Sequence, residues 1–368
     1  MVTVSIDGAR RVVQAQFEAG DTAAFPFLWL RDNCPSGFHP DTQERVFDLL
    51  SVPADIAPAT AAIEAGALRV EWSDAHVSRY PLAWLDAHRP GRAAADPAGI
   101  RREPWSSDRG AFPTASADAL MDSDQALLDW LMDARRMGLA FVTGLADDAD
   151  AGLAIARRIG FLRETNFGLT FDVISKPNPN NLAYTSDALP LHTDLSNQET
   201  PPGFQFLHCV QNASQGGGSV FCDGVAIAED LRKTDPEGFV RLRDQPIPMR
   251  FHDSDYDIRR RDTVIRCDHD GAVVEIRFNA HLAGVFDLSA DEMEAYYAAY
   301  RAFMAATRDA ARHAIRRLGP GDMVVFDNRR VLHGREAFDP STGERFLRGC
   351  YIDRGEWDSR IRVLSRAA

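Results

Sequence analysis

Short apolar runs dominate the first ninety or so residues of the chain. Residues 2–6, 11–17 and 27–30 are strand-like, and residues 68–72 alternate apolar and polar side chains as a half-buried strand does. We therefore predict a small β-rich N-terminal domain over residues 1–95.

The pattern changes after residues 96–118, a stretch of small, polar and proline residues that predicts a linker. Apolar residues at helical spacing predict helices over residues 125–136 and 147–159, and residues 139–142 between them predict a buried strand. A second, larger domain is therefore expected over residues 119–368.

A third helix is predicted by Ser289 and Glu292, which have the spacing of a capping box. We expect this helix to extend to residue 318, where the turn residues 320–322 end it and a strand begins at residues 323–326. Helices outside many short strands predict an α+β, mainly β, fold with a closed or double-layered sheet.

Composition and charge narrow the class of protein. The 368 residues are 45% hydrophobic and 26% charged, which is typical of a globular protein with one large domain or a large and a small one. We expect neither a membrane span, which needs roughly 18 uncharged apolar residues, nor a signal peptide. The net charge of −13 argues against nucleic acid and anionic membranes as partners. Five cysteines without a CxxC pair predict a cytoplasmic protein.

Candidate metal chemistry lies in the segment LHTD at residues 191–194. Side chains at positions i and i+2 of a strand share a face, so His192 and Asp194 can bind one metal ion. His333 is the best candidate for a third ligand, since two histidines and one carboxylate suit Fe(II) with open positions. The motif alone is weak: a second HxD at residues 39–41 is attributed to chance, and His192 is alternatively a loop histidine that satisfies backbone groups.

An arginine strengthens the metal interpretation. Arg345 follows His333 at a short distance, and a guanidinium binds a carboxylate through two hydrogen bonds. Ser219, after three glycines, offers a hydroxyl to the same carboxylate. An HxD, a distant histidine and a following arginine form the arrangement of Fe(II)- and 2-oxoglutarate-dependent oxygenases.

Over nearly the whole chain, the motifs resemble those of the γ-butyrobetaine and trimethyllysine hydroxylase family. They are the segments LRDNCP at 30–35, NNLAYT at 180–185, LHTD at 191–194, PPGFQFLHC at 201–209, FDNR at 326–329 and LHGR at 332–335. The resemblance implies a double-stranded β-helix (jelly-roll) catalytic domain with flanking helices. It also implies Fe(II) on His192, Asp194 and His333, and the cosubstrates 2-oxoglutarate and O₂. A homodimer is common in the family.

The resemblance also implies residue roles around the iron. The 2-oxoglutarate would be held by Arg345 with Ser219, beside Leu207. In the family a quaternary ammonium lies in an aromatic cage, because a trimethylammonium group attracts π faces and cannot donate hydrogen bonds. The matching positions are Phe167, Phe171, Tyr184 and Tyr351. Alternatively, Phe167 and Phe171 are core residues.

The anionic end of the substrate decides between two substrates. Asn181 and Asn279 match positions that bind a carboxylate in the family, and Arg277 shares a strand face with Asn279 and Glu275. Arg277 either lines the pocket or pairs with Glu275 on an outward face.

A guanidinium in the pocket would suit a highly charged anion. We therefore expect 2-(trimethylammonio)ethylphosphonate, hydroxylated next to phosphorus, with γ-butyrobetaine, hydroxylated to carnitine, as the alternative. Trimethyllysine is disfavoured, since no acidic partner for its α-amino group can be placed.

A structural zinc site is common in the N-terminal domain of the family. Cys34, His39 and His76 are the candidates here, while Ser36 stands where a second cysteine is expected. Three ligands do not complete a tetrahedral site, so we expect zinc to be absent and Cys34 to be a small buried residue.

Two other classes of protein are open at this point. A metal-dependent cupin would need neither Arg345 nor 2-oxoglutarate, and a quaternary-ammonium binding protein would keep the cage without turnover. The complete set of His192, Asp194, His333 and Arg345 speaks against the binding protein. We expect a homodimeric enzyme that acts on a small molecule.

Overall fold

The computed structural model describes residues 2–17, 20–174 and 185–367. The chain divides into two compact units, Met1–Asp96 and Pro97–Ala368. Among the described helices, none has both the length and the hydropathy to cross a bilayer.

The first unit contains two three-stranded antiparallel sheets and two short helices. Its elements are β1 (Thr3–Asp7), β2 (Val12–Gln16), β3 (Thr22–Pro26), α1 (Phe27–Asp32), β4 (Pro58–Glu64), β5 (Ala67–Trp72), β6 (Val77–Pro81) and α2 (Leu82–Ala87). In β5 the predicted alternation is present, with Leu68, Val70 and Trp72 buried in the core of this unit. The prediction of a strand at residues 27–30 is wrong, because a short apolar run does not distinguish a strand from a helix.

The described part of the second unit contains sixteen strands. Ten of them form two principal sheets, and the other six associate in pairs. The sixteen strands have the following bounds. They are β7 (Thr114–Ser116), β8 (Leu139–Thr143), β9 (Phe171–Val173), β10 (Leu189–His192), β11 (Phe204–Asn212), β12 (Gln215–Gly216), β13 (Ser219–Asp223), β14 (Ile247–His252), β15 (Asp257–Asp262), β16 (Ile265–Cys267), β17 (Val273–Ile276), β18 (His313–Arg316), β19 (Met323–Asp327), β20 (Val331–Arg335), β21 (Phe338–Asp339) and β22 (Arg345–Ile352).

One sheet has the order β10-β20-β13-β18, and the other β7-β8-β19-β11-β22-β9. Phe221 and Val331 of the first sheet share a buried cluster with Phe141, Leu207 and Leu347 of the second. The two sheets therefore face each other across one core, which is the double-layered jelly roll that the sequence predicts.

Helices flank these sheets. They are α3 (Ala117–Asp122), α4 (Asp124–Met137), α5 (Ala151–Ile159), α6 (Gly224–Thr234), α7 (Pro236–Asp244), α8 (Ala290–Thr307) and α9 (Arg354–Ala367). The hydroxyl of Ser123 accepts from the Ala126 amide and begins α4, which ends at Gly138 with φ of 74°. The capping box of α8 is present.

Two boundaries differ from the sequence-based predictions. Helix α8 ends at Thr307 and not at residue 318, because β18 is needed as a partner for β13. The segment predicted as a linker belongs to the second unit from Pro97 onward. Trp105 in this segment is buried and donates its indole N–H to the Met137 carbonyl at 2.7 Å, and β7 pairs with β8. The buried Trp105 and the pairing of β7 with β8 thus hold this segment against the second unit.

Candidate active site

Three metal-ligating side chains meet at one edge of the smaller sheet. His192 ends β10 directly opposite His333 of β20, and Asp194 follows two residues later. His192 Nε2 lies 3.2 Å from Asp194 Oδ1, and His333 Nε2 lies 3.7 Å from Asp194 Oδ2. All three ligand atoms lie within 4.8 Å of one another, and no other such group of three occurs among the described residues. This spacing fits one metal ion.

The protonation of the site also fits a metal. His192 Nδ1 is 2.8 Å from the Pro190 carbonyl oxygen, to which it donates, so Nε2 is left as the metal ligand. Burial lowers the pKa of His333 to about 3, which keeps this ring neutral. Burial acts against the charged form of Asp194, yet the two histidines and a hydrogen bond from Tyr351 hold its pKa below the ordinary value.

Asp194 is held at its carboxylate and at its backbone. The Tyr351 hydroxyl donates to Asp194 Oδ2 at 2.7 Å. Asn328 is fully buried, accepts from the Asp194 amide at 2.7 Å and donates to the Asp194 carbonyl at 3.1 Å. Asn328 lies in the FDNR segment, so its motif was visible in the sequence, but its contact with an iron ligand was not.

A cavity of about 380 Å³ opens beside the metal-ligating group. Ten of the predicted site residues line it: Phe167, Phe171, His192, Asp194, Leu207, Ser219, Asn279, His333, Arg345 and Tyr351. The predicted Asn181 and Tyr184 lie outside the described residues. The structure therefore brings most of the described candidates to one cavity, with Arg277 as the exception.

Arg345 is a buried cation that lines this cavity. Within the described ranges its guanidinium has neither an ion pair nor a hydrogen bond, and Arg345 Nε is fully shielded from solvent. Burial and the neighbouring Arg335 lower the pKa of Arg345 to about 10. A buried charge needs a partner, so this guanidinium is suited to bind the carboxylate of a ligand.

Room beside Arg345 is provided by a glycine. Gly217 has φ of 70°, and a Cβ there would lie 3.3 Å from Arg345 Nε. Ser219 and Leu207, on β13 and β11, are both buried at the cavity wall. The cavity wall around the guanidinium is thus open on the Gly217 side and cationic, which suits a carboxylate.

Aromatic rings form another wall of the cavity. The ring of Phe171 stacks on that of Tyr351, with centroids 4.9 Å apart, and Phe167 packs edge-on against Phe251 at 5.4 Å. Phe167 and Phe171 are half-buried, and Phe171 in β9 both lines the cavity and packs against the core cluster that contains Leu207 and Leu347. Phe251 was missed by the sequence reasoning, although its alternation in β14 predicts an inward side chain.

The prediction that Arg277 reads the substrate anion is wrong. Its side chain is 2% exposed and does not line the cavity. Arg277 Nε donates to Glu275 Oε1 at 2.5 Å, and the two terminal nitrogens donate to the carbonyls of Gln198 and Glu199, each at 3.0 Å. Glu275 is the partner that the alternative named, but it is fully buried and not on an outward face.

Asn279 does line the cavity, and part of its amide is used by the protein. Its Nδ2 donates to the Thr193 carbonyl at 3.2 Å, and its Oδ1 accepts from the His281 amide at 3.0 Å. His281 and Gln205 also line the cavity and were missed. So was Arg335, two residues after His333 on β20, which strand alternation alone would have found.

The three candidate zinc ligands do not meet. Cys34 Sγ lies 3.1 Å from Ser36 Oγ and 3.4 Å from His76 Nε2. His39 instead accepts the amides of Asp41 and Thr42 through its Nδ1, each at 3.3 Å. Cys34 is buried, as the sequence predicts.

A jelly roll with a His-Asp-His face and a buried arginine beside it defines the class of Fe(II)- and 2-oxoglutarate-dependent oxygenases. The chain belongs to the taurine catabolism dioxygenase TauD, TfdA family, which it matches at residues 101–351. Residues 4–86 match the gamma-butyrobetaine hydroxylase-like N-terminal domain. The protein is therefore a dioxygenase that uses Fe(II) and 2-oxoglutarate on a small molecule, and neither a cupin of another class nor a binding protein.

Relatives are similar over nearly their whole length. The chain is 42% identical to a gamma-butyrobetaine dioxygenase of Pseudomonas sp. (strain AK-1), over 96% of this chain and 94% of that one. It is 29% identical to the human gamma-butyrobetaine dioxygenase, over 98% and 96% of the two chains. It is also 29% identical to the mitochondrial trimethyllysine dioxygenase of Gallus gallus, over 94% and 84%.

A solved structure has the same fold. An asparagine oxygenase in complex with Fe(II), 2S,3S-3-hydroxyasparagine and succinate superimposes with a TM-score of 0.50 and 18% sequence identity. The match covers 64% of this chain and 83% of that one.

Proposed function

We propose that the protein hydroxylates γ-butyrobetaine to carnitine. The observation that carries this proposal is the 42% identity to the bacterial gamma-butyrobetaine dioxygenase along almost all of both chains. The relatives that act on trimethylammonium compounds support this broader substrate class.

The site residues support the same reaction. We assign His192, Asp194 and His333 to Fe(II), and Arg345 with Ser219 to 2-oxoglutarate, packed beside Leu207. The iron and its cosubstrate supply the oxidising chemistry, while the protein binds, orients and excludes water.

The substrate would lie along the aromatic wall. The stacked faces of Phe171 and Tyr351, with Phe167, favour a trimethylammonium group by cation–π attraction. The Asn279 amide, which lines the same cavity, would face the carboxylate.

The phosphonate substrate loses its physical support. The preference for 2-(trimethylammonio)ethylphosphonate depended on Arg277 as a cationic anion reader, and each of the three nitrogens of this guanidinium donates a hydrogen bond outside the cavity. A carboxylate needs no additional guanidinium, so γ-butyrobetaine is the better substrate.

The test is succinate release by iron-loaded enzyme with 2-oxoglutarate and O₂. γ-Butyrobetaine, 2-(trimethylammonio)ethylphosphonate and trimethyllysine are supplied in parallel, and a His333→Ala variant gives the background. We expect succinate and hydroxylated product in equal amounts with γ-butyrobetaine. Coupling to the phosphonate or to trimethyllysine alone would refute the proposal.

A cytoplasmic homodimer is also proposed. The cysteines Cys34, Cys209, Cys222, Cys267 and Cys350 are all free, which supports a reducing compartment. Sedimentation analysis of the full chain tests the dimer, and a monomer at micromolar concentration would refute it.

A further inference from the structure

We propose that Arg277 is a positioning residue for the iron ligand Asp194. It acts through the connection between β10 and β11, residues 193–203, and touches neither substrate nor metal. This inference depends on the iron site of the family and not on which trimethylammonium compound is the substrate.

The connection has little structure of its own. Its Leu195 has φ of 54°, the left-handed region, which is costly for a side chain with a Cβ and persists only where the surroundings hold it. Ser196 and Asn197 are fully buried, and their side-chain polar atoms have no hydrogen-bond partner within the described ranges. The position of Asp194 therefore depends on contacts from outside the connection.

Those outside contacts lie at both ends and in the middle of the connection. Beside Asp194, the Thr193 amide donates to the Phe278 carbonyl at 2.7 Å, and the Asn279 side chain donates to the Thr193 carbonyl. At the other end, Asn328 donates to the Pro202 carbonyl at 3.2 Å.

Asn328 holds the start of the connection at Asp194. Arg277 holds its middle, where the two terminal nitrogens donate to the consecutive carbonyls of Gln198 and Glu199. Arg163 donates to the side chain of Gln198 and to the Thr200 carbonyl, but is partly exposed. Of the three side chains, Asn328 and Arg277 are buried, and Arg277 is the one that binds the middle of the connection; we call its two hydrogen bonds to the Gln198 and Glu199 carbonyls the Arg277 clamp.

The geometry of a guanidinium explains the choice of arginine. One planar group donates to Glu275 through Nε and to two backbone carbonyls through its terminal nitrogens. A lysine ammonium is a point charge on a flexible side chain and cannot hold three donors in one plane in these fixed directions. Asp262, 3.2 Å from Arg277, adds a second anion.

A purely structural explanation is that Arg277 only neutralises the buried Glu275. Arg329 provides the matched comparison. Its guanidinium also pairs with Glu275, through Oε2, but within the described ranges its side chain makes no hydrogen bond or ion pair with residues 193–203. The two arginines thus share the charge role and differ in the clamp.

The experiment compares Arg277→Gln, Arg277→Lys and Arg329→Gln in the full-length apoprotein. Co(II), as a redox-stable replacement for Fe(II), is titrated and followed by calorimetry, and thermal unfolding is measured without metal. We expect both glutamine variants to lower Tm. Only Arg277→Gln should weaken Co(II) binding, by about tenfold, the lower end of the loss typical for residues that support metal ligands.

Arg277→Lys separates the charge from the clamp. We expect it to recover part of the Tm, because a cation remains beside Glu275, and to keep the weakened Co(II) binding. Equal Co(II) affinities in Arg277→Gln and Arg329→Gln would overturn the proposal, as would full recovery of Co(II) affinity in Arg277→Lys. If Arg277→Gln does not fold, the Co(II) affinity of Arg277→Lys is compared with that of Arg329→Gln, and equal affinities overturn the proposal.

Discussion

Arg345 and Arg277 are two buried arginines in the same catalytic unit, with opposite surroundings. Arg345 lines the cavity, and none of the described residues hydrogen-bonds to its guanidinium. Arg277 lies outside the cavity with two carboxylates and two carbonyls around it. Burial alone therefore does not mark a ligand-binding charge. A ligand-binding charge is better recognised as a buried charge that has no hydrogen bond or ion pair within the protein, because a ligand can then supply the missing interaction.

The largest expected effect is on the Arg277 side. Glu275→Gln removes the carboxylate shared by Arg277 and Arg329, and removing one partner of a buried ion pair costs about 3 kcal/mol of unfolding free energy. Urea unfolding measures the loss. Asp244→Asn, at the exposed pair with Arg243, is the control and should change little. A small loss in Glu275→Gln would mean that the arginines do not depend on this carboxylate.

The cosubstrate requirement tests the Arg345 side. Arg345→Gln should raise the KM for 2-oxoglutarate about 100-fold, the effect of removing one partner of a desolvated charge pair. Arg348→Gln is the matched control on β22, because its guanidinium pairs with Asp172 and Asp150. A similar rise in the KM for γ-butyrobetaine would place the cosubstrate carboxylate elsewhere.

In the apoprotein, Arg345→Met and Glu275→Gln should change the free energy of unfolding in opposite directions. Arg345→Met removes a buried cation that has a ring contact with Phe338 but no hydrogen bond or ion pair with the described residues, so we expect its unfolding free energy to rise by about 1 kcal/mol even as activity is lost. The same urea titration measures it. A decrease would show that the protein itself stabilises this guanidinium.

The smallest effect is a difference in pH dependence. Burial opposes the charge on Glu275, but Arg329 and Arg277 prevail and hold its pKa below 4.5. The unfolded chain takes up the proton first, so this stabilisation is complete above about pH 4.5 and is lost as the pH falls through the folded-state pKa.

The stability gap between wild type and Glu275→Gln should therefore shrink in acid. The gap for Arg345→Met should stay constant from pH 7 to pH 4, since a guanidinium remains protonated. Urea titrations across this range measure both gaps. If the two stability gaps changed with pH in the same way, Glu275 and Arg345 would not differ in their electrostatic contribution to stability.

Local signals in the sequence were sufficient for many elements. Apolar residues at helical spacing predicted α4, and the capping box at Ser289 begins α8. The HxD spacing and the family resemblance were enough to place His192, Asp194 and His333 together, although β10 ends at His192 and Asp194 does not lie on the strand that was expected. These predictions succeed because each depends on neighbours in sequence or on one motif.

Predictions that depended on distant partners failed. Strand alternation predicted that Arg277 shares a face with Asn279. The Arg277 side chain is instead bound by the carbonyls of Gln198 and Glu199, nearly eighty residues earlier in the chain. The end of α8 was likewise set by the pairing of β18 with β13, and not by a stop signal inside the helix. In both cases the tertiary partner decided, and no local pattern encodes it.

Tyr351 connects two parts of the site through a single side chain. Its ring stacks on Phe171 at the cavity wall, while its hydroxyl donates to Asp194. Any molecule that shifts this ring also shifts a hydrogen bond to a metal-binding carboxylate. The two occupancies are then thermodynamically linked, and by reciprocity each must change the affinity of the other by the same factor.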